Sequence, residues 1–300
     1  MSVLAVDVGG TKLAVALVDE SGNMTARCAA PTPRTDDAER IWSALHALVD
    51  QALARADERG DAERGEVVAD ACGVGCGGPM TAGGELVSPL NIPAWREFPL
   101  AERLAAATGL VTCVDNDAKA LALGEGWCGA ARGERNFIAI VVSTGVGGGI
   151  VLDGRLLDGA LGNAGHIGHV IVEPGGEHCA CGSRGCLEAL ASGRSIERIT
   201  GRPAAVADVG VRARTGRLVG RAVADVANLL DLRLAVVGGS VALGFGEVFF
   251  APAQAELDAG ARLDFSRGAR VVPVGLADRG PLIGAAAVAL RAQGRLPGIG

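Results

Sequence analysis

The sequence predicts an α/β fold, built twice over and divided into two domains. Three observations carry that expectation. The chain has 300 residues, 49% of them hydrophobic, which is enough for about two separate cores. A strand, a turn of small residues and a second strand follow one another at 3–23 and again at 137–157, one copy in each half. No low-complexity linker separates the halves, so the two domains are expected to close on a shared cleft.

The elements follow in order. VLAVDV (3–8) is an apolar run broken by Asp7; GGTK comes next, then a second apolar run ending in the turn residues DESGN. A strand on both sides of the turn makes this a hairpin rather than a βα unit. Residues 36–56 place apolar side chains at helical spacing, with Asp36 or Asp37 as the start signal. EVVADACGVGCGGPM (66–80) reads as a strand running into a Gly-rich loop. FPLAERLAAATG is a helix that ends at Gly109. LVTCVDNDAKALALGEGW (110–127) is a strand that meets Asp115, Asn116 and Asp117 and then turns helical. FIAIVVSTGVGGGIVLDGRLL (137–157) repeats the opening pattern and closes on a DG turn. Residues 192–235 are mostly helical, LAVVGGSVAL (234–243) is another strand entering a glycine loop, and GPLIGAAAVALRAQG is a closing apolar helix. The expected division is a smaller α/β domain over 1–118, joined by the helix 281–294, and a larger one over 119–280.

Composition narrows the function. The net charge is −6 and aromatics are 3% with no tyrosine, which speaks against a platform that stacks nucleic-acid bases. The chain opens without a basic-plus-apolar leader and has no apolar run long enough to span a bilayer. A cytoplasmic protein is therefore expected, with neither nucleic acid nor membrane as partner. The 46 glycines are clustered, as tight turns and close backbone approach to a ligand require. Disulfides are a weak reading for the eight cysteines of such a chain. Cys28, Cys72, Cys76, Cys113 and Cys128 lie scattered among small or apolar residues and read as buried small hydrophobes.

Gly-rich turns at strand ends present backbone N–H groups to anions. DVGGTK is not a Walker loop, since G-x-x-x-x-G-K-[ST] is absent, nor a dinucleotide fingerprint, since a strand follows where a helix is needed. Alone it is an ordinary hairpin turn; with STGVGGG and VVGGS it makes three strand-ended glycine loops in one chain. Asp7, beside the first loop, is either a turn-capping carboxylate or a contact to Mg²⁺ or its waters. Asp117, at the start of a helix, is either an N-cap or a general base for a hydroxyl nucleophile, and spacing alone favours the cap.

Residues 162–188, GNAGHIGHVIVEPGGEHCACGSRGCLE, hold three of the four histidines and three of the eight cysteines. Cys179, Cys181 and Cys186 offer three soft ligands at a spacing suited to Zn²⁺, with the fourth to come from His166, His169 or His178. A cysteine redox site would leave the histidines unexplained.

Together these motifs resemble the ROK family of sugar kinases and related repressors. The matching residues are VDVGGTK (6–12), DNDA (115–118), STGVGGGIV (143–151), GHIGH (165–169), CACGSRGCLE (179–188) and VVGGS (236–240), in family order over nearly the whole chain. The resemblance implies an actin-like, hexokinase-type (ribonuclease H-like) duplicated fold of two α/β domains, with ATP and sugar in the cleft between them. It implies that Asp7, Gly9, Gly10, Thr11 and Lys12 form the first phosphate loop. It makes Thr144, Gly145, Gly147 and Gly148 the second, and Gly238 and Gly239 the adenosine-side loop. It makes Asp117 the catalytic base, against the cap that spacing favours. Asn91, in SPLNIPAW, Asn116 and Glu188 become sugar contacts, with His166 and His169 on the same substrate side. It puts His169 with Cys179, Cys181 and Cys186 around a closed, structural zinc, and leaves His178 as a solvated loop residue. ATP, Mg²⁺ and zinc are the implied cofactors, a small sugar the substrate and a homodimer the usual form.

One residue departs from the family pattern. Most family sugar kinases read G-E-x-G-H where this chain reads GHIGH, so His166 replaces a sugar-contacting glutamate. AGHIGH together with CLEALASGR resembles the bacterial N-acetylmannosamine kinases more than the glucokinases. A neutral imidazole donates one hydrogen bond and accepts one, whereas a carboxylate only accepts, and that suits an acetamido group. The expected reaction is ATP-dependent phosphorylation of a hexose 6-hydroxyl, with N-acetylmannosamine as the sugar; a glucokinase, in which His166 is a neutral substitution, is the alternative. Regulatory members carry a helix-turn-helix ahead of the first loop, and only five residues precede Val6 here. A non-catalytic sugar sensor is thus the weaker expectation, with Asp117 also against it.

Overall fold

The structure is a computed structural model and describes residues 2–59 and 69–299. The first residues of the strand expected at 66–80, 66–68, lie outside the described residues. The chain divides into two compact units, one of Met1–Cys128, Asp158–Gly162 and Asp278–Gly300, the other of Gly129–Leu157 and Asn163–Ala277.

The first unit opens with β1 (Ser2–Val8), β2 (Lys12–Asp19) and β3 (Met24–Pro31), an antiparallel meander. Helix α1 (Ala38–Arg59) follows, its start marked by the Asp37 carboxylate accepting from the Glu39 N–H at 2.9 Å. Strand β4 (Ala71–Cys76) then pairs parallel with β1. Helix α2 (Leu100–Thr108) ends on Gly109 at φ 72°, and β5 (Thr112–Asn116) pairs parallel with β4 before α3 (Asp117–Cys128) begins. The sheet order is β3-β2-β1-β4-β5. Leu4, Val6, Leu13 and Val15 bury their side chains against Ile41, Leu45 and Val49 of α1. That burial of apolar side chains, each contributing about 1.5–3 kcal/mol, holds the layer together.

The second unit repeats the plan. Strands β6 (Phe137–Val142), β7 (Val146–Leu152) and β8 (Arg155–Leu156) form the meander. The short helices α4 (Leu187–Ala191) and α5 (Gly193–Thr200) and the long α6 (Val209–Leu230) follow. Strand β9 (Leu234–Gly238) pairs parallel with β6; α7 (Ser240–Phe245), α8 (Glu247–Gly260) and β10 (Arg270–Pro273) complete the unit. The order β10-β9-β6-β7-β8 is the first sheet's order, strand for strand, read from its parallel edge. The duplication expected from the two strand–turn–strand segments is therefore a duplication of whole sheets.

Helix α9 (Gly280–Ala292) returns to the first unit, all small or branched on its buried side. Its composition has a packing reason. A Cβ on Gly73 of β4 would stand 2.0 Å from the Ala285 carbonyl oxygen, so the helix backbone lies directly on the strand.

Candidate functional site

In the first unit the sequence-predicted residues converge on the carboxyl ends of β1, β4 and β5. Parallel pairing sets Asp7 beside Gly75, and Asp115 beside Gly75 on the other side, with Cys76 opposite Asn116. The GGTK turn is tight: Gly9 donates its N–H to the Lys12 carbonyl at 3.0 Å, while the Thr32 hydroxyl donates to the Gly9 carbonyl at 2.6 Å. Thr11 and Lys12 are exposed at its tip. A Cβ on Gly10 would stand 2.7–2.9 Å from atoms of Asn91, so only glycine lets that residue approach the loop. The Asn91 Oδ1 is buried and has no hydrogen-bond partner among the described residues, a state that costs free energy until a donor arrives.

The capping role that spacing favours for Asp117 is met by its neighbour. Asn116 Oδ1 accepts from the Ala118 N–H at 3.0 Å, so Asn116 is the N-cap of α3 and Asp117 is its first helical residue. The Asp117 carboxylate also meets the Ala118 N–H, at 2.9 Å, and is exposed. Its charge is felt nearby. Burial, then the Asp117 carboxylate, push the Asp7 carboxyl up to about 7, with Lys12 pulling the other way. Burial and the same two carboxylates lift the Cys76 thiol well above the usual thiol range.

Sequence reasoning missed the support beneath this edge. Lys119, with a side chain only 5% exposed, reaches Asp115 at 3.0 Å and Asp158 at 2.7 Å, and Arg291 of α9 meets Asp158 at 2.7 Å. Burial raises the Asp115 carboxyl and Lys119 draws it back down. The one available signal was a lysine among the small apolar residues of AKALAL; nothing marked Asp158 as its partner.

In the second unit the STGVGGG segment is a short loop, 143–145, continuing into β7, so Gly147 and Gly148 are strand residues. The missing side chains of Gly148 and Gly165 serve packing: a Cβ on Gly148 would stand 2.9 Å from the Gly165 carbonyl oxygen, and one on Gly165, at φ 96°, 2.3 Å from the Gly148 carbonyl oxygen. The GHIGH segment is thereby laid on β7, with His166 and His169 exposed and their rings 6.2 Å apart. The VVGGS loop adjoins the same place, since the hydroxyls of Ser143 and Ser240 are 3.0 Å apart. Gly238 ends β9, and Gly239, at φ 93°, turns the chain into α7. Glu188, in the first turn of α4, accepts from the Val146 N–H at 3.1 Å through Oε2.

His169, Cys179, Cys181 and Cys186 bring one donor atom each to within 4.8 Å of one another. The His169 Nδ1 to Cys179 Sγ distance is 3.6 Å and the Cys181 to Cys186 Sγ distance 3.7 Å. A tetrahedral site with Zn–S near 2.3 Å has edges of ~3.8 Å, so the three-cysteine, one-histidine set fits zinc in both chemistry and size. The thiols perturb one another: Cys181 is drawn down to about 7, first by a backbone hydrogen bond from Ser183, and Cys186 is pushed up to about 12, first by burial. His178 is exposed and outside the cluster. Among the described residues no helix is long and apolar enough to cross a membrane.

The sequence profile of the ROK family matches residues 3–292. The N-acetylmannosamine kinase of Citrobacter koseri is 38% identical over 261 residues, covering 82% of this chain and 86% of that protein. Among solved structures, the ROK hexokinase from Thermus thermophilus is 32% identical with a TM-score of 0.80, covering 98% of this chain and 99% of that one. A ROK family glucokinase from Streptomyces griseus, in complex with glucose and AMPPNP, is 31% identical with a TM-score of 0.79, covering 97% and 100%. The paired five-stranded sheets have the actin-like α/β fold of these proteins. The chain belongs to the ROK family.

Proposed function

We propose that the chain is an ATP- and Mg²⁺-dependent kinase that phosphorylates the 6-hydroxyl of a hexose, and that the hexose is N-acetylmannosamine. The observation that carries the kinase reading is the end of β5, where Asn116 takes the capping role and Asp117 presents an exposed carboxylate beside Asp7. ATP with Mg²⁺ supplies the phosphoryl group and the counter-charge when bound. Asp117 orients the sugar hydroxyl and holds its proton on a carboxylate oxygen as the oxygen attacks. Burial first, and then the neighbouring Asp117 carboxylate, raise Asp7; a cation next to it would offset both, and Asp7 is the residue that would face Mg²⁺ or its waters. The turn at Gly9–Lys12 and the loop 143–145 would offer backbone N–H groups to the phosphates, and the turn at Gly238–Gly239 would lie on the adenosine side.

The sugar would be held by Asn91, Asn116, His166 and Glu188. The orphaned Asn91 acceptor supports this directly, since a sugar hydroxyl is the donor it lacks. His169 with the three cysteines would bind zinc, fixing the segment that leads to Glu188 without taking part in the chemistry. By the family resemblance we take the working form to be a homodimer.

The choice of N-acetylmannosamine rests on His166 and on the likeness to kinases named for that sugar. The second reading is a glucokinase, favoured by the likeness to the glucose-bound Streptomyces griseus structure. Release of ADP measured over a panel of hexoses and N-acetylhexosamines tests both. The proposal expects kcat/KM to be highest for N-acetylmannosamine. A preference for glucose supports the second reading, and no ADP release on any sugar overturns the kinase reading altogether.

A further inference from the structure

We infer that Glu188 is a positioning residue for the second glycine loop as well as a sugar contact, so that the cysteine/histidine segment is fastened to the nucleotide side of the site. The inference rests on the proposed reading of loop 143–145 as a phosphate loop.

The loop between β6 and β7 has little of its own to hold it: Ser143 donates its N–H to the Gly145 carbonyl at 2.9 Å across a two-residue gap. Besides the contact of the Ser143 and Ser240 hydroxyls, its support comes from residues 188–194. Glu188 Oε2 accepts from the Val146 N–H at 3.1 Å, and the bare α-carbon of Gly145 faces the same oxygen, which would stand 3.2 Å from a Cβ placed there. The Gly193 N–H donates to the Ser143 carbonyl at 2.7 Å. One carboxylate oxygen therefore pins the end of the loop where β7 begins, and one backbone N–H pins the end where β6 stops.

Glu188 is itself held on both sides. Its own carbonyl accepts from the Ser195 hydroxyl at 2.7 Å and from the Ser192 N–H at 3.2 Å, which fixes the corner between α4 and α5. Two residues upstream lies Cys186, one of the four clustered donors, and Leu187 between them donates its N–H to the Val170 carbonyl at 2.9 Å. The path from the cluster to the loop is thus two residues and one charge-assisted hydrogen bond, the strong kind. With Oε2 committed to Val146, Oε1 is the oxygen that can meet a sugar hydroxyl. On the proposed reading the same side chain would meet the sugar and hold the phosphate loop.

The test compares Glu188→Gln, Glu188→Asp and Glu188→Ala. An amide oxygen still accepts from the Val146 N–H, so Glu188→Gln should keep the loop in place. Asp is one methylene short and Ala has no acceptor, so both should release it. Hydrogen–deuterium exchange of a peptide spanning 143–150, measured without nucleotide, should be near wild type in Glu188→Gln and roughly tenfold faster in Glu188→Asp, the loss expected for one hydrogen bond to a charged group. In steady state Glu188→Asp and Glu188→Ala should raise KM for ATP about tenfold, whereas Glu188→Gln should leave it within about twofold while raising KM for the sugar. Wild-type exchange over 143–150 in Glu188→Asp, or a rise in sugar KM alone in all three variants, overturns the inference. If the wild-type protein turns over no sugar, the kinase reading fails, and the exchange comparison still decides the role of Glu188.

Discussion

The side-chain oxygen of Asn116 accepts a hydrogen bond from the Ala118 N–H at 3.0 Å, which makes Asn116 the cap of α3. Capping, one of the two roles the sequence leaves open at Asp117, is met by its neighbour, and the base role at Asp117 is the one we propose. Asn116→Ala should therefore cost up to ~1 kcal/mol of stability, seen as a lower melting temperature, because it removes the capping oxygen and leaves the Ala118 N–H to Asp117 alone. Asp117→Asn should leave the melting temperature within about 2 °C of wild type, since the cap is intact. Equal destabilisation by the two changes, read by thermal melting, would return the capping role to Asp117.

Asp7 should make the protein less stable as pH rises. Its folded pKa, about 7, lies above the ordinary carboxyl value, first because of burial and then because of Asp117. A group with a raised folded pKa contributes its full stability below the unfolded value, near 4, and loses it as pH climbs through 7. Asp7→Asn removes that penalty. In magnesium-free buffer the variant should melt at the wild-type temperature at pH 4.5 and higher than wild type at pH 8, by on the order of 1–2 kcal/mol after allowance for partial solvent screening. The same variant should lose most of its activity. A melting difference that does not change between the two pH values would contradict the raised pKa.

The purified protein should contain about one zinc per chain, as expected of a single closed site with four ligands. Cys181→Ala removes the exposed ligand without opening a cavity in the core, so a loss of stability in this variant reports the metal rather than packing. It should lower zinc content and melting temperature together, because metal binding and local folding are linked. Elemental analysis showing no zinc in freshly isolated protein, with all three thiols reacting at once, would contradict the site.

His166→Glu should shift sugar preference towards glucose. The substitution restores an acceptor-only side chain and sets a charge near the position proposed for the acetamido group. A polar mismatch covered by the bound sugar costs ~1–3 kcal/mol, so the ratio of kcat/KM for N-acetylmannosamine to that for glucose should fall by about tenfold or more. His169→Ala is the control and should reduce both activities with little change in their ratio. An unchanged ratio in His166→Glu would remove His166 from sugar selection.

Much of this was legible in the sequence because it was local. Strand–turn–strand patterns marked the first two strands of each meander, and Gly109 and the Asp36–Asp37 pair, of which Asp37 makes the bond, marked helix ends. The cysteine spacing alone brought three of the four metal-ligand candidates together. What was hidden was non-local or irregular. Strand β3 lies at a sheet edge, lacks valine and isoleucine, and takes a bulge opposite Val15–Leu17 with Ala26 at φ 51°, so its alternation is broken. Helix α8 carries Pro252 in its interior and follows Gly244 and Gly246, signals that usually end helices. The Lys119–Asp158–Arg291 network joins residues 39 and 133 positions apart, and no spacing rule reaches so far. The bond from Val146 to Glu188 was hidden for the same reason, across 42 positions.

The central claim is that Asp117 takes the proton of a sugar hydroxyl during phosphoryl transfer. Its most direct test is the turnover of Asp117→Asn with saturating ATP, Mg²⁺ and N-acetylmannosamine, alongside sugar affinity measured by calorimetry. The amide keeps the shape of the side chain and cannot accept the proton. The account predicts a kcat at least about a hundredfold below wild type, with sugar affinity within tenfold. A kcat near the wild-type value would contradict it.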